Sequence, residues 1–454
     1  MDIRKKLLTE RPVSRRSVVR SGAGVAGMAA LAPLTRGSAS ARARQDGACE
    51  VVFLSTQLTP IEEAEAFRSE VLAGFEGEVE FIPEDIGPFN DRITAEAEAG
   101  QGEVSLIGGQ HGDFGSLAEQ GLLMDLSDLT VDLADRGIVE AYLELGKFGS
   151  EQQFYVPWMQ ATYVMAARRE ALEYLAEGLD EETLQTELTY AQLLEWITAI
   201  NEEEGPRFGL PAGENGLLHR FFQGYSYPSF TGALNTEFTS EGAVQMWEWL
   251  RDAWAVANPQ SLSYDQMAEP LQSGEVWVAW DHTARLIDAV RNNPDDFVMF
   301  PAPRGPEGLG YMPVVAGLAI PISAPNPDCA RELIRYLTEP ETQAETLQQV
   351  AFFPVIEGDL PGDLGEGIQK EADAVAATTS DEAALPSLLP VGLGEQGGAY
   401  NEVFRNVFQR VVIDEGDIQE ALQTEAETLQ QILDAADASC WPPDPESEGV
   451  CQVG

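Results

Sequence analysis

The sequence predicts an α/β protein in which a lobe of alternating strands and helices is followed by a helix-rich lobe. Three observations carry this. Between residues 50 and 110, short apolar runs alternate with segments of helical spacing, the pattern of a parallel sheet covered by helices. Between residues 190 and 256 the periodicity is mostly helical. Two later apolar runs, Val276–Trp280 and Val314–Pro321, are each one strand long and bounded by polar residues, Gly or Pro. A chain that returns to short strands so late, with aromatic and acidic residues at their ends, is suited to cross between two lobes. A cleft between lobes is a usual place to hold a small molecule.

The elements follow in order. Glu50–Ser55 reads as a buried strand, and Ile61–Phe75 as a helix with Ala64, Phe67 and Val71 on one side. Glu78–Pro83 is a second strand, Phe89–Ala99 a helix, and Val104–Gly108 a third strand ending in a glycine-rich loop, G-G-Q-H-G-D-F-G. A short helix is expected over Ser116–Gly121. Gln152–Trp158 and Thr162–Ala167 form an apolar pair around a polar break. Thr189 is a fitting N-cap for a helix over Tyr190–Glu204, and Ser240–Val256 carries Trp247, Trp249 and Trp254 at helical spacing. Thr283–Arg291 reads as a helix and Phe297–Pro301 as a strand. Asp328–Leu337, Thr342–Val350, Asn401–Asp414 and Ile418–Ala438 are further helices, with a Gly- and Pro-punctuated stretch from Asp359 to Gln396.

The first 41 residues differ from the rest. They hold eight basic and two acidic side chains, including Ser14-Arg15-Arg16-Ser17-Val18-Val19-Arg20, which looks like a twin-arginine export signal. A weakly apolar Ser21–Leu34 run and a small-residue site at Ala39-Ser40-Ala41 complete the layout of a removed signal peptide over residues 1–41. The whole chain carries −49; with the leader at +6, the remainder stands at −55. Such a surface repels nucleic-acid backbones and anionic membranes, which require clustered cations. It keeps a protein soluble and suits a saline exterior, where self-repulsion is screened.

Four cysteines, Cys49, Cys329, Cys440 and Cys451, permit three pairings. Cys440 and Cys451 flank the turn-rich W-P-P-D-P-E-S-E-G-V, so a local disulfide stapling the tail of residues 439–454 is expected. Cys49 and Cys329 are either free and buried or paired. Lipidation of Cys49 is an alternative, against which Asp46-Gly47-Ala48 makes a poor lipobox.

Several pieces, in order, resemble the extracellular solute-binding proteins of ABC importers, in their sugar-binding, maltose-binding-like branch. These are the strand, loop, helix and turn of Val104 to G-L-L-M-D-L; Y-V-P-W at Tyr155–Trp158; S-G-E-V-W-V-A-W-D at Ser273–Asp281; and A-G-L-A-I-P with P-N-P-D-C-A-R-E-L-I-R-Y-L-T-E-P-E-T-Q. The likeness covers roughly residues 50–356. The chain departs from the family at Ala167-Arg168-Arg169, where a Tyr-Asn-Lys is common, and at Val314-Val315-Ala316-Gly317, where paired glycines and a tryptophan are. The resemblance implies a two-lobed, type II periplasmic-binding-protein-like fold whose lobes interleave through hinge strands. It places lobe 1 at residues 49–157 plus 283–313 and lobe 2 at 158–282 plus 314–438. Y-V-P-W would be the first hinge crossing, Ser273–Asp281 the second and Val314–Pro321 the third. It also implies capture of a carbohydrate, delivery to ABC permease subunits in the membrane, and a monomeric, exported protein.

Sugar sites set flat aromatic faces against rings and planar polar groups against hydroxyls. Candidates of these types at strand ends are Gln57, His111, Asp113, Trp158, Trp280, Asp281 and Tyr311, with Tyr225 and Tyr227 in the aromatic Q-G-Y-S-Y-P-S-F-T-G segment. For each the plain alternative is structural: a tight turn for the His111–Asp113 loop, hinge packing for Trp158 and Trp280, a helix N-cap for Asp281. The histidines His111, His219 and His282 lack metal-ligand spacing, and no cofactor motif, P-loop, G-x-S-x-G or H-E-x-x-H occurs. The reading is therefore of a binding protein rather than an enzyme. Alternatives are a binder of another solute (polyamine, osmolyte or metal complex), a secreted glycoside hydrolase using an acidic pair, or a ligand sensor.

Overall fold

In the computed structural model the described residues are 49–454, apart from 60, 292, 357–363 and 391. The leader and its twin-arginine motif lie outside them. Eleven strands form three sheets: β1 (Cys49–Ser55), β2 (Gly77–Pro83), β3 (Leu106–Gln110), β4 (Val156–Ala161), β5 (Tyr163–Arg168), β6 (Phe208–Gly209), β7 (Val278–His282), β8 (Phe297–Phe300), β9 (Leu309–Tyr311), β10 (Val314–Ala319) and β11 (Ala384–Pro386).

The first lobe is built on a sheet of order β2-β1-β3-β10-β4, and the second on β6-β7-β5-β8, with β9 and β11 paired separately. In the first sheet β1 runs parallel to β2 and β3, while β10 is antiparallel to β3 and β4. Its interior strands β3 and β10 are apolar on both faces because both faces are covered, whereas the edge strand β2 alternates, with Glu78 and Glu80 exposed. On β1, Phe53 points to Phe67, Phe81 and Trp158, whereas Leu54 points into a cluster with Phe89, Ile107 and Phe114.

The helix predicted over Ile61–Phe75 is an α-helix at Ile61–Ala66 that widens into a π-turn at Phe67–Val71, with Phe67 and Val71 both buried. The one predicted after Thr189 spans Tyr190–Glu204, its N-cap closed by a capping box in which Thr189 accepts from Gln192 N–H and Gln192 reaches back.

The lobe boundaries differ from the expected ones. β8 pairs with β5 in the second sheet, and the Thr283–Arg291 helix packs on β7 and on the Glu366–Thr379 helix, so this region belongs to the second lobe and not to lobe 1. β10 fills the gap between β3 and β4, so the segment from residue 314 belongs to the first lobe and not to lobe 2. The helices Pro327–Leu337 and Pro340–Val350 also pack on the first lobe, and Phe353 bridges to Gln160. The chain therefore passes between the sheets at Thr162 and again between β8 and β10, and the Glu366–Thr379 helix packs on β8 of the second lobe. Ser273–Asp281 is no crossing; it leads into β7, an interior strand of the second sheet. A short apolar run states that a strand is buried and carries no signal for which sheet it completes.

Cys49 is bonded to Cys329, joining the start of β1 to the Pro327–Leu337 helix, and Cys440 is bonded to Cys451. A bonded Cys49 has no thiol to offer a lipid.

Candidate functional site

The two sheets meet at a single residue, Thr162, between β4 and β5. Its hydroxyl lies 3.0 Å from the Met312 carbonyl on the returning segment and 3.0 Å from the Tyr225 hydroxyl. Its carbonyl accepts the Thr283 N–H at 3.0 Å. Tyr225 accepts from Tyr163 N–H at 2.9 Å and reaches the Tyr163 carbonyl at 3.0 Å. One tyrosine thus pins the crossing peptide, with all of these groups buried.

Several predicted ligand contacts are placed in the core by this packing. Trp280 stacks on Tyr163 at 4.8 Å and 5° and meets Phe221 and Tyr225 edge-on. Trp158 sits edge-on between Phe53 and Phe67. Both indoles are 0 % exposed, as are Tyr225 and Tyr227, so none offers a face to a ligand. Tyr227 accepts from Trp247 Nε1 at 3.0 Å and donates to the Phe238 carbonyl. Asp281 is also 0 % exposed; it accepts from Met267 N–H (2.9 Å) and His282 N–H (2.7 Å), tying β7 to the start of the Ala268–Ser273 helix. Burial raises its pKa to about 7, against the pull of Arg285. These are corrections. Trp158 and Trp280 lie within β4 and β7 and Tyr225 and Tyr227 on helical turns, and their rings have more apolar surface to bury in the lobes than any cleft demands, while Asp281 is drawn inward by the two backbone donors it accepts from.

The glycine-rich segment is not a loop. β3 runs through Gln110 and a helix begins at His111, spanning His111–Glu119. Asp113 is the third residue of that helix and accepts from Gln110 N–H (2.8 Å) and the Thr56 hydroxyl (2.7 Å), a capping role. His111 stacks on Phe148 at 4.8 Å, with Nδ1 2.9 Å from the Tyr155 hydroxyl, and burial lowers its pKa to about 4. Gly112 faces the second lobe: a Cβ there would lie 3.2 Å from the Pro390 carbonyl oxygen. Gln57 is nearly buried after β1 and donates to the Thr56 hydroxyl. Tyr311 is half-buried at the end of β9, within electrostatic reach of the Tyr142 hydroxyl, which donates to Gln160 at 2.5 Å.

Further groups bridge the lobes that residue type and strand position did not single out. Glu63, on the first lobe's Ile61–Ala66 helix, is held near Arg285 of the second lobe. Burial raises its pKa to about 7, with Arg285 opposing and Asp288 and Glu62 adding. Phe352 of the first lobe meets His282 edge-on at 6.2 Å. In a chain with 76 acidic residues, Glu63 has no contrast against its background. Its partner was visible only as one more polar position on a predicted helix.

Among the described residues no group of histidine, cysteine or acidic side chains is placed to hold a metal ion, and no helix is long and apolar enough to cross a membrane.

Known structures share this architecture. UgpB from Mycobacterium tuberculosis, solved with glycerophosphocholine, is 18% identical; the match covers 86% of this chain and 100% of that one, with a TM-score of 0.64. The sugar-binding protein MalE of Xanthomonas citri is 17% identical over 85% of this chain and 98% of that one, with a TM-score of 0.65. Maltose-bound MalE3 of T. maritima is 16% identical over 85% and 100%, also at 0.65. No curated protein matches the sequence significantly. These likenesses establish the two-lobed, type II binding-protein fold. Residues 60–344, more than half of the chain, match the sequence pattern of the bacterial extracellular solute-binding proteins, and the chain belongs to that family.

Proposed function

We propose that the protein is the substrate-binding component of an ABC importer, which captures a carbohydrate between its lobes and delivers it to a membrane permease. The observation that carries this is a face shared by two lobes joined by only a few segments, where Phe352 of one meets His282 of the other at 6.2 Å and Glu63 feels the charge of Arg285. Such a geometry closes on a ligand when both lobes gain contacts with it, shifting an open–closed equilibrium. The maltose and other sugar complexes among its structural neighbours support the ligand class.

In this reading Gln57, His111 and Tyr311 serve hydroxyl groups along the rim, and Glu63 and Arg285 bind from opposite sides. No bond is made or broken. The protein is exported through its twin-arginine leader and acts as a monomer. Titration calorimetry and small-angle scattering with a panel of mono- and oligosaccharides test it. Heat of binding with a smaller radius of gyration is expected; no binding and no compaction with any sugar overturns the carbohydrate assignment. Turnover of a chromogenic glycoside, abolished by a single carboxylate substitution, would instead establish a hydrolase.

A further inference from the structure

A cationic cluster stands on the second lobe's side of the hinge, in a chain whose net charge is −49. Arg405 donates to the carbonyls of Glu214 (3.4 Å) and Gly216 (2.9 Å) and lies 3.2 Å from His219 Nδ1, with Glu402 at 3.6 Å as its acidic partner. Arg285 donates to the carbonyls of Asp265 (2.7 Å) and Asn215 (3.4 Å). The loop clasped by these two guanidiniums leads directly into His219 and Arg220. Among the described residues Arg220 makes a single hydrogen bond, to the neutral Oε1 of Gln223 at 2.8 Å. Among the described residues no carboxylate forms an ion pair with Arg220 or Arg285. Both guanidiniums act electrostatically on the hydroxyl of Tyr163, the residue that follows the hinge threonine.

A guanidinium withdrawn from water is costly unless something negative meets it. This chain has 76 carboxylates with which to meet it. It nevertheless hydrogen-bonds both forks to neutral oxygens alone, and the carboxylates that feel Arg285 (Asp281, Glu63 and Asp265) stand beyond ion-pair distance, the first two drawn toward protonation by burial. A guanidinium fork matches two oxygens of a phosphate or carboxylate at once.

We propose that Arg220 and Arg285 hold an anionic group of the ligand, a phosphate ester or a carboxylate on a hydroxylated solute, with the Tyr163 hydroxyl as a further donor. This rests on the cleft assignment above and narrows its substrate class from neutral sugars to acidic ones. Burial draws Glu63 toward protonation, which lessens its repulsion of such an anion. The acidic exterior does not forbid entry, because at physiological ionic strength its field decays over about 8 Å.

Calorimetry on the mature chain with glucose, glucose 6-phosphate and glucuronate, and with glycerol and glycerol phosphate, separates the possibilities. The expected result is that one anionic member binds about tenfold or more tighter than its neutral counterpart. Arg220→Gln should abolish that preference while leaving neutral-sugar binding unchanged, and Arg220→Lys should keep part of it. The phosphate and carboxylate arms identify which anion is read. Should Arg220→Gln fail to fold, Arg220→Lys alone carries the comparison, with part of the anion preference lost and neutral-sugar binding retained. Neutral sugars binding as tightly as their acidic counterparts overturns this inference and leaves the cleft assignment standing. Absence of binding and of compaction throughout overturns both.

Discussion

At the scale of single residues, the hinge depends on one hydroxyl. Tyr225 bonds the backbone of Tyr163 and the side chain of Thr162, all within the core. Tyr225→Phe leaves a buried N–H without its acceptor and is expected to destabilise the protein by about 1–3 kcal/mol, measured by urea unfolding. Protonation offers a second test. Burial holds Glu63 and Asp281 near 7 and places Glu371 well above the carboxylate range. The contribution of Glu63 and Asp281 to stability is full below the unfolded values near 4 and is lost as pH rises through about 7, and that of Glu371 is lost as pH rises through its own raised value. Burial also lowers His111 to about 4, His282 to about 3 and His219 to about 2, the last two helped by Arg285, and His219 also by Arg220 and Arg405. The histidine contribution is full above 6.5 and is lost as pH falls below it. The two sets oppose each other between about pH 4 and 7, so a shallow stability profile is expected there. His219→Gln removes one histidine and keeps an acceptor for Arg405. Its melting temperature relative to wild type should therefore be higher at pH 5 than at pH 8.

At the scale of elements, the C-terminal segment is a strap. Asp444, inside the loop closed by Cys440 and Cys451, accepts from the N–H groups of Leu234, Asn235 and Thr236 and from the side chains of Asn235 and Thr236. The final residue continues the docking: Gly454 donates to the Asn235 carbonyl and accepts from Thr239 N–H. The expected stapled tail of residues 439–454 is thus fastened onto the second lobe by a carboxylate that composition did not mark. Asp444→Ala leaves several buried donors unmet and should cost about 3 kcal/mol or more. Reduction of the disulfides should lower the melting temperature of the wild type further than that of a Cys440→Ser, Cys451→Ser variant, which retains only the Cys49–Cys329 bond.

At the scale of the molecule, charge and connectivity dominate. A net charge of −49 on a compact chain repels itself, and added salt relieves that repulsion. The melting temperature is expected to rise between low and molar salt; no rise would falsify the saline reading of the composition. The few passages between sheets link lobes whose main apolar cluster is shared, running from Phe53 and Trp158 to Trp247 and Trp280, while the cluster around Leu54 and Phe114 stays within the first lobe.

The sequence by itself determined the α/β class, most helices and strands, the capping of the Tyr190–Glu204 helix and the family. These follow from local periodicity and turn chemistry, which every stretch carries within itself. It misplaced the lobe membership of residues 283–313 and of β10, because hydrogen-bond partners of a buried strand are set by distant segments. Tertiary structure alone decided which aromatic residues are core. Trp158, Trp280, Tyr225 and Tyr227 have the chemistry of a sugar platform, but the energy of burying their rings within the lobes governs where they go. It also decided the site's electrostatics. Arg220, Arg285 and Glu63 are distant in sequence and unremarkable in type, and they acquire meaning only when the fold sets two cations beside the hinge with one carboxyl across from them.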